Sequence, residues 1–258
     1  MSVAAYDQNL KTYEFEFNFS SLPIYLAFIP LMYIIPTIYV VLRIFLVFSK
    51  CLVFKNREKV RRDMDMNVFS IIVCLHFMNF IFFISDYLMY RFPATGILTP
   101  WCSRIPYSNL LTVIVFTTYY SALIVLLFPS VLSFIRLFLI ISPYFTVTTI
   151  VFRVSLPLIF VYSLFFTFFL IPAKGICKPL GLPYPYGSVM VYYTDSYRGI
   201  HNSTFFLANN LVWMIIGGIV NIALLAKLAG FLKKKAQSSV TMWKPECAKL
   251  KKVCIFTL

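Results

Sequence analysis

Acidic side chains are what this sequence has least of. Nine Asp and Glu stand against 23 Lys and Arg in 258 residues, and charged residues of all kinds make up 12%. A soluble domain of this length carries far more surface charge than that, so a water-solvated globule is excluded. Eight of the nine acids lie in loops or tails, which leaves Asp86 without a second carboxylate for acid–base work. There are only two histidines, and no HExxH, CxxC, GxxxxGK[ST] or GxGxxG pattern. No enzyme, metal or cofactor is therefore expected. The first 20 residues, MSVAAYDQNLKTYEFEFNFS, lack the basic stretch and short apolar core of a cleaved leader. The first apolar span is expected to act as its own insertion signal. Internal repeats, low-complexity tracts and a separate soluble domain are also missing.

What the sequence does have is apolar length. Hydrophobic residues make up 60% and the mean hydropathy is +0.84. Crossing a bilayer as helix takes about 20 apolar residues. The net charge of +14 invites a nucleic-acid reading, but the basic residues sit between apolar spans rather than on a polar domain. Nucleic acid is thus excluded as a partner and lipid becomes the solvent. The spans expected are 22–48, 68–90, 110–135, 151–171 and 205–231 in one membrane domain, 1–258. Residues 232–258 form a basic cytoplasmic segment. The run Leu110 to Ile171 is broken only by Arg136, Ser142-Pro143 and Arg153, and its 62 residues are too long for one crossing. Charge bias decides between two crossings and three. Residues 50–67 carry six Lys/Arg and 227–252 carry eight, and flanking basic residues stay cytoplasmic. Both fall on one side only if the long run crosses twice. The expectation is an all-α protein with five complete crossings, its amino end outside.

That topology sorts the cysteines. Of six, only Cys102 and Cys177 face outside, where thiols oxidise. A disulfide between them is expected, the alternative being two free thiols that face outward. Two sequons, at Asn18 and Asn202, fall on the same outer side and are glycosylation candidates.

Polar groups inside a span need partners or a cavity. His76, Asn79 and Asp86 are spaced i, i+3, i+10 and share one narrow helical arc, with Phe83 between them. Asn210 and Asn221, eleven apart, share another face near Trp213, Met214 and Gly217. The third span adds Thr117, Thr118, Tyr119, Tyr120 and Ser121. Together they could line an outward-opening pocket with candidate ligand contacts at His76, Asn79, Asp86, Tyr119, Tyr120, Asn210 and Trp213. The plainer alternative is interhelical hydrogen bonding by His76, Asn79, Asn210 and Asn221, with Asp86 hydrated at the interface. Arg136 and Arg153 could simply snorkel to headgroups.

Three stretches resemble a known family. SLPIYLAFIPLMYIIPTIYVVLRI is similar to the first helix of nematode serpentine receptors of the class g superfamily. DYLMYRFPATGILTPWC, Asp86 to Cys102, resembles the end of helix two and the first outer loop of class U within it. SFIRLFLIISPYF, Ser133 to Phe145, resembles the cytoplasmic end of helix three. The resemblance runs from about Ser21 onward. It implies a seven-helix, rhodopsin-like receptor for an external small molecule or peptide, placed in the plasma membrane or a sensory cilium. It also implies signalling through a heterotrimeric G protein, with Arg136 beside the G-protein cavity, and it implies the Cys102–Cys177 bond as well. The sequence departs from the pattern twice. Ile135 stands before Arg136 where an acid would form a local ionic lock, and Val253 to Leu258 supplies only six residues of helix six. A receptor cut before helices six and seven is thus the expectation. The alternatives are a non-signalling membrane partner that dimerises with intact receptors, and a small transporter or channel subunit. The last lacks the inverted repeats and broken helices of that class.

Overall fold

A computed structural model describes residues 22–53, 66–105, 107–141, 145–181, 188–194 and 202–237. Five long helices run through them: α1 (Leu22–Val53), α2 (Met66–Asp86), α3 (Asn109–Ile141), α4 (Phe145–Thr167) and α5 (Asn202–Gln237). Each contains an apolar stretch long enough to cross a membrane. Lipid offers no partner for a bare peptide group, so a crossing segment closes its hydrogen bonds within a helix. Pro30, Pro36, Pro129 and Pro157 lie inside these helices, as is tolerated in membrane spans. The 62-residue apolar run forms two helices, α3 and α4. Met32, at 75% exposure, and Ile35, at 72%, show that α1 turns large aliphatic groups outward. Leu158, Val161, Ile222 and Leu225 do the same on α4 and α5. Such surface is stable against acyl chains and not against water. The protein is a multi-pass membrane protein.

The connection after α2 is more helical than its three prolines suggest. A π-helical turn, Tyr87–Arg91, continues α2, followed by short helices at Phe92–Ala94 and Thr99–Cys102. Gly96, at φ 82°, makes the left-handed turn between them. Between α4 and α5 lie the described strands: β1 (Lys174–Pro179) pairs antiparallel with β2 (Val189–Thr194). Lys174 lies opposite Thr194, Ile176 opposite Tyr192 and Lys178 opposite Met190.

Contacts divide the chain into two compact units. The first comprises 1–42, 77–123 and 163–204, and the second 43–76, 124–162 and 205–258. The first has a core of buried side chains from six elements, among them Met89, Leu111, Val115, Phe169, Val189 and Val191. The basic segment expected at 232–258 is described only to Gln237, within α5. The beginning of helix six and Asn18 lie outside the described residues.

Candidate functional site

The first unit is organised by how β1 meets α3. Alternation along β1 exposes Lys174 and Lys178 and buries Gly175 and Cys177. Gly175 lies so close to α3 that a Cβ there would sit 2.3 Å from the Thr112 backbone nitrogen. Its absent side chain permits three hydrogen bonds. Gly175 N–H donates to Thr112 Oγ1 at 2.8 Å, Thr112 Oγ1 donates to the Ala173 carbonyl at 3.2 Å, and Ser108 N–H donates to the Gly175 carbonyl at 3.1 Å. Two residues on, Cys177 is disulfide-bonded to Cys102. The bond joins β1 to the short helix before α3, and both sulfurs belong to the buried core. Ser188 Oγ donates to the Ala94 carbonyl at 2.7 Å and ties the start of β2 to the end of the α2 extension. The hairpin is therefore fixed at three points.

Beside it the π-helical turn sets out polar groups. Such a turn is wider than an α-helical one and occurs often at functional sites. Arg91 Nε lies 3.5 Å from Asp86 Oδ2, at 46% and 28% side-chain exposure. An ion pair this wet contributes little to stability, so its place near the rim matters more than its strength. Tyr90 and Tyr119 face each other with hydroxyl oxygens 3.2 Å apart. Tyr119 also meets the buried Tyr193 of β2 edge-on, with ring centroids 6.3 Å apart. Asp86, Arg91, Tyr90, Tyr119 and Tyr193 thus bring an acid, a base and phenols to one hairpin-bounded cluster. It can offer a ligand both charge signs, donors and aromatic edges. Tyr120 is stacked on Phe116 at 5.7 Å. Thr118 and Ser121, also expected in the lining, are buried and donate to the Ile114 and Thr117 carbonyls of their own helix. Their hydroxyls are already used, so α3 presents mainly its tyrosines.

The second unit holds a polar ridge on α5. Asn209, Trp213, Gly217 and Asn221 recur every four residues, which aligns them along one side of the helix. Tyr162 of α4 accepts a hydrogen bond from Trp213 Nε1 at 3.1 Å and donates to Asn209 Oδ1. Asn209 Nδ2 closes back on the Phe205 carbonyl at 3.1 Å. Trp213 and Tyr162 also meet edge-to-face. From α3, Ser133 Oγ donates to Asn221 Oδ1 at 2.8 Å, and Ser130 Oγ donates to the Trp213 carbonyl at 3.5 Å. Gly217 lets α5 pass close to Ser130, whose Oγ is 3.1 Å from the position of a Cβ.

The sequence-expected set divides between the units. Asn79, Asp86, Tyr119 and Tyr120 belong to the first, and His76, Asn210 and Trp213 to the second. His76 and Asn79 are half-buried on α2, and Asn210 is half-buried on α5, beside the buried Asn209. Sequence reading singled out Asn210 because it pairs with Asn221 at eleven residues. The four-residue spacing through Trp213 and Gly217 was the signal that points to Asn209. Tyr90, Arg91, Tyr162 and Tyr193 carried no such signal, since tyrosines and flanking arginines are common at membrane interfaces. Arg136 is half-buried on α3, three residues after Ser133, and Arg153 is exposed on α4. Asn202 opens α5.

The family model described as serpentine type 7TM GPCR chemoreceptor Sru matches residues 7–248. Serpentine receptor class U-26 of Caenorhabditis elegans is 34% identical over 216 residues, which cover 83% of this chain and 72% of that protein.

Proposed function

The chain belongs to the Sru family of serpentine seven-helix chemoreceptors, and from that membership we propose that it binds an external chemical at the hairpin-bounded cluster and signals through a heterotrimeric G protein. The observation that carries the reading is the hairpin itself. A disulfide, a glycine contact and a serine clasp hold β1 and β2 against a group of polar and aromatic side chains. Rigid support of that kind keeps a binding site preorganised. Asp86, Tyr90 and Tyr119 contact the ligand, with Tyr193 as the aromatic wall; Asn79 and Tyr120 are further candidates in the same unit. In the second unit His76, Asn210 and Trp213 remain candidates, and Arg136 lies on the G-protein side. Charge bias supports the orientation of this reading: the amino end and the hairpin outward, the Lys-rich segments toward the cytosol. The membrane is the plasma membrane or that of a sensory cilium.

The test is expression of the chain with a G-protein reporter, challenged with fractionated chemical extracts of the animal's surroundings. An active fraction should lose about tenfold or more in potency on Asp86→Asn or Tyr119→Phe, the scale of one or two polar contacts. Silence to every fraction, from protein shown to reach the surface, refutes the receptor reading.

A further inference from the structure

Deep in its span, α5 turns a polar group out of the bundle. Asn221 is exposed, although the apolar stretch around it runs from Phe205 to Gly230. It lies nine residues from Gly230, about 13 Å along the helix, and so well inside a hydrocarbon core about 30 Å thick. Among the described residues its partner is Ser133, whose hydroxyl donates to Oδ1. The two N–H donors of Nδ2 still need acceptors. Acyl chains supply none, so an amide there favours a second helix that does. The residues around it form a pattern. Leu207, Leu211, Met214, Gly218, Asn221 and Leu225 are spaced four, three, four, three and four apart, and all six are exposed. That is the heptad alternation of a seam, the row that one helix presents to another in a left-handed pair. A single asparagine within such a seam sets register and the number of helices. Gly218, one turn before Asn221, meets nothing within 4 Å at its Cβ position. The seam is therefore narrow beside the amide, where a second backbone must come close. The buried Asn209 and Val220 lie on the opposite side of α5, so the seam is not the face that packs within the second unit.

We infer that α5 pairs with α5 of a second copy of this chain, parallel and about a two-fold axis along the membrane normal, with the two Asn221 amides bonded to each other. Chemistry selects the occupant. An amide carries both donor and acceptor and is its own complement, and Oδ1 has a second lone pair beside the one Ser133 uses. Copies inserted in one orientation bring Asn221 to the same depth, whereas a different helix would need an acceptor placed there. The pairing depends on neither a ligand nor a G protein. The test is energy transfer between full chains fused at the carboxyl end to donor and acceptor fluorescent proteins, in membranes of expressing cells, read against surface density. Transfer that saturates is expected. Asn221→Leu should raise the half-saturating density about tenfold, the scale of one interhelical amide contact. Gly218→Ile should weaken pairing at least as much, because its side chain has open space in the single chain but fills the seam. That variant leaves the Ser133 bond intact and so separates pairing from folding. Ile219→Ala, exposed but off the seam, should change nothing. Oxidative cross-linking reads the contact itself: Leu225→Cys should give a linked dimer above the wild-type background, and Ile219→Cys should not. Transfer that never saturates, whether the chain stays alone or pairs with another protein, overturns the inference. So does wild-type association of both Asn221→Leu and Gly218→Ile, or equal cross-linking through Leu225→Cys and Ile219→Cys.

Discussion

Replacing Gly175 by alanine should be among the most damaging single-methyl additions in this protein. The new carbon would sit 2.3 Å from the Thr112 backbone nitrogen and 2.5 Å from the carbonyl carbon of Leu111. Ordinary carbon contacts lie at about 3.5–4 Å, so strand and helix must part by roughly 1 Å or more. Both obstructing atoms are backbone in mid-contact, so no side chain can rotate away. The parting stretches the 2.8 Å bond to Thr112 Oγ1 and the 3.1 Å bond from Ser108 N–H. Overpacking of this kind costs about 1–3 kcal/mol, and each hydrogen bond lost adds about 1 kcal/mol. The sum is about 3–5 kcal/mol, a large share of a typical folding free energy. Two other glycines calibrate the assay. A Cβ at Gly181 meets nothing within 4 Å, so Gly181→Ala should lie within about 0.5 kcal/mol of wild type. At Gly217 the obstacle is a rotatable hydroxyl, Ser130 Oγ at 3.1 Å, so Gly217→Ala should cost about 1 kcal/mol. The measurement is the fraction of detergent-solubilised protein that stays monodisperse after stepwise heating. The expected order of melting is Gly175→Ala first, Gly217→Ala next, and Gly181→Ala together with wild type. Gly175→Ala surviving as long as Gly181→Ala would refute the close approach of β1 to α3.

Two further substitutions probe the remaining ties. Tyr162→Phe removes one hydroxyl but leaves both the Trp213 N–H and the Asn209 carbonyl oxygen without it, a loss of about 1–3 kcal/mol. Adding Asn209→Leu should restore part of it, and a double-mutant cycle with no coupling would exclude the shared bond. Cys177→Ser removes the bond to Cys102 and should cost about 2–4 kcal/mol in the same heating assay; a peptide map without reduction should recover the two cysteines joined.

The five helices were legible because the signal behind them is one-dimensional. A bilayer demands length and apolarity of each crossing, and the sequence meets that demand five times, with basic residues to orient the result. The hairpin was less legible for the opposite reason. Lys174–Pro179 contains a glycine, a proline and two lysines, and reads as polar loop. Its strand character comes from partners distant in sequence: β2, Thr112 and Cys102. Val189–Thr194, VMVYYT, did carry the β-branched and aromatic composition of a strand. On α5 a choice between adjacent asparagines was needed. Spacing to one other asparagine favours Asn210, while packing against Tyr162 uses Asn209. One residue of helical phase is 100°, enough to move a side chain off the contact face.

Counting polar residues in a span overstates how many are left for a ligand. A hydroxyl in lipid can bond back to the carbonyl one turn earlier, which satisfies it at little conformational cost. Thr37, Thr118, Ser121 and Thr167 all do so, at 2.5–2.8 Å. Asparagine amides, with two donors and an acceptor site, are only partly met this way, and Asn209 and Asn221 reach to neighbouring helices. An ionised carboxylate has no proton to donate to a carbonyl of its own turn, and a phenol hydroxyl is carried too far out by its ring to fold back so readily. Asp86, Tyr90 and Tyr119 accordingly find partners in other side chains. Those bonds are long, at 3.2 and 3.5 Å, and half in water, so a ligand can exchange for them cheaply. In a helix bundle solvated by lipid, polar side chains whose partners are exposed and loosely held exchange them for a ligand most readily, and the proposed contacts Asp86, Tyr90 and Tyr119 have partners of that kind.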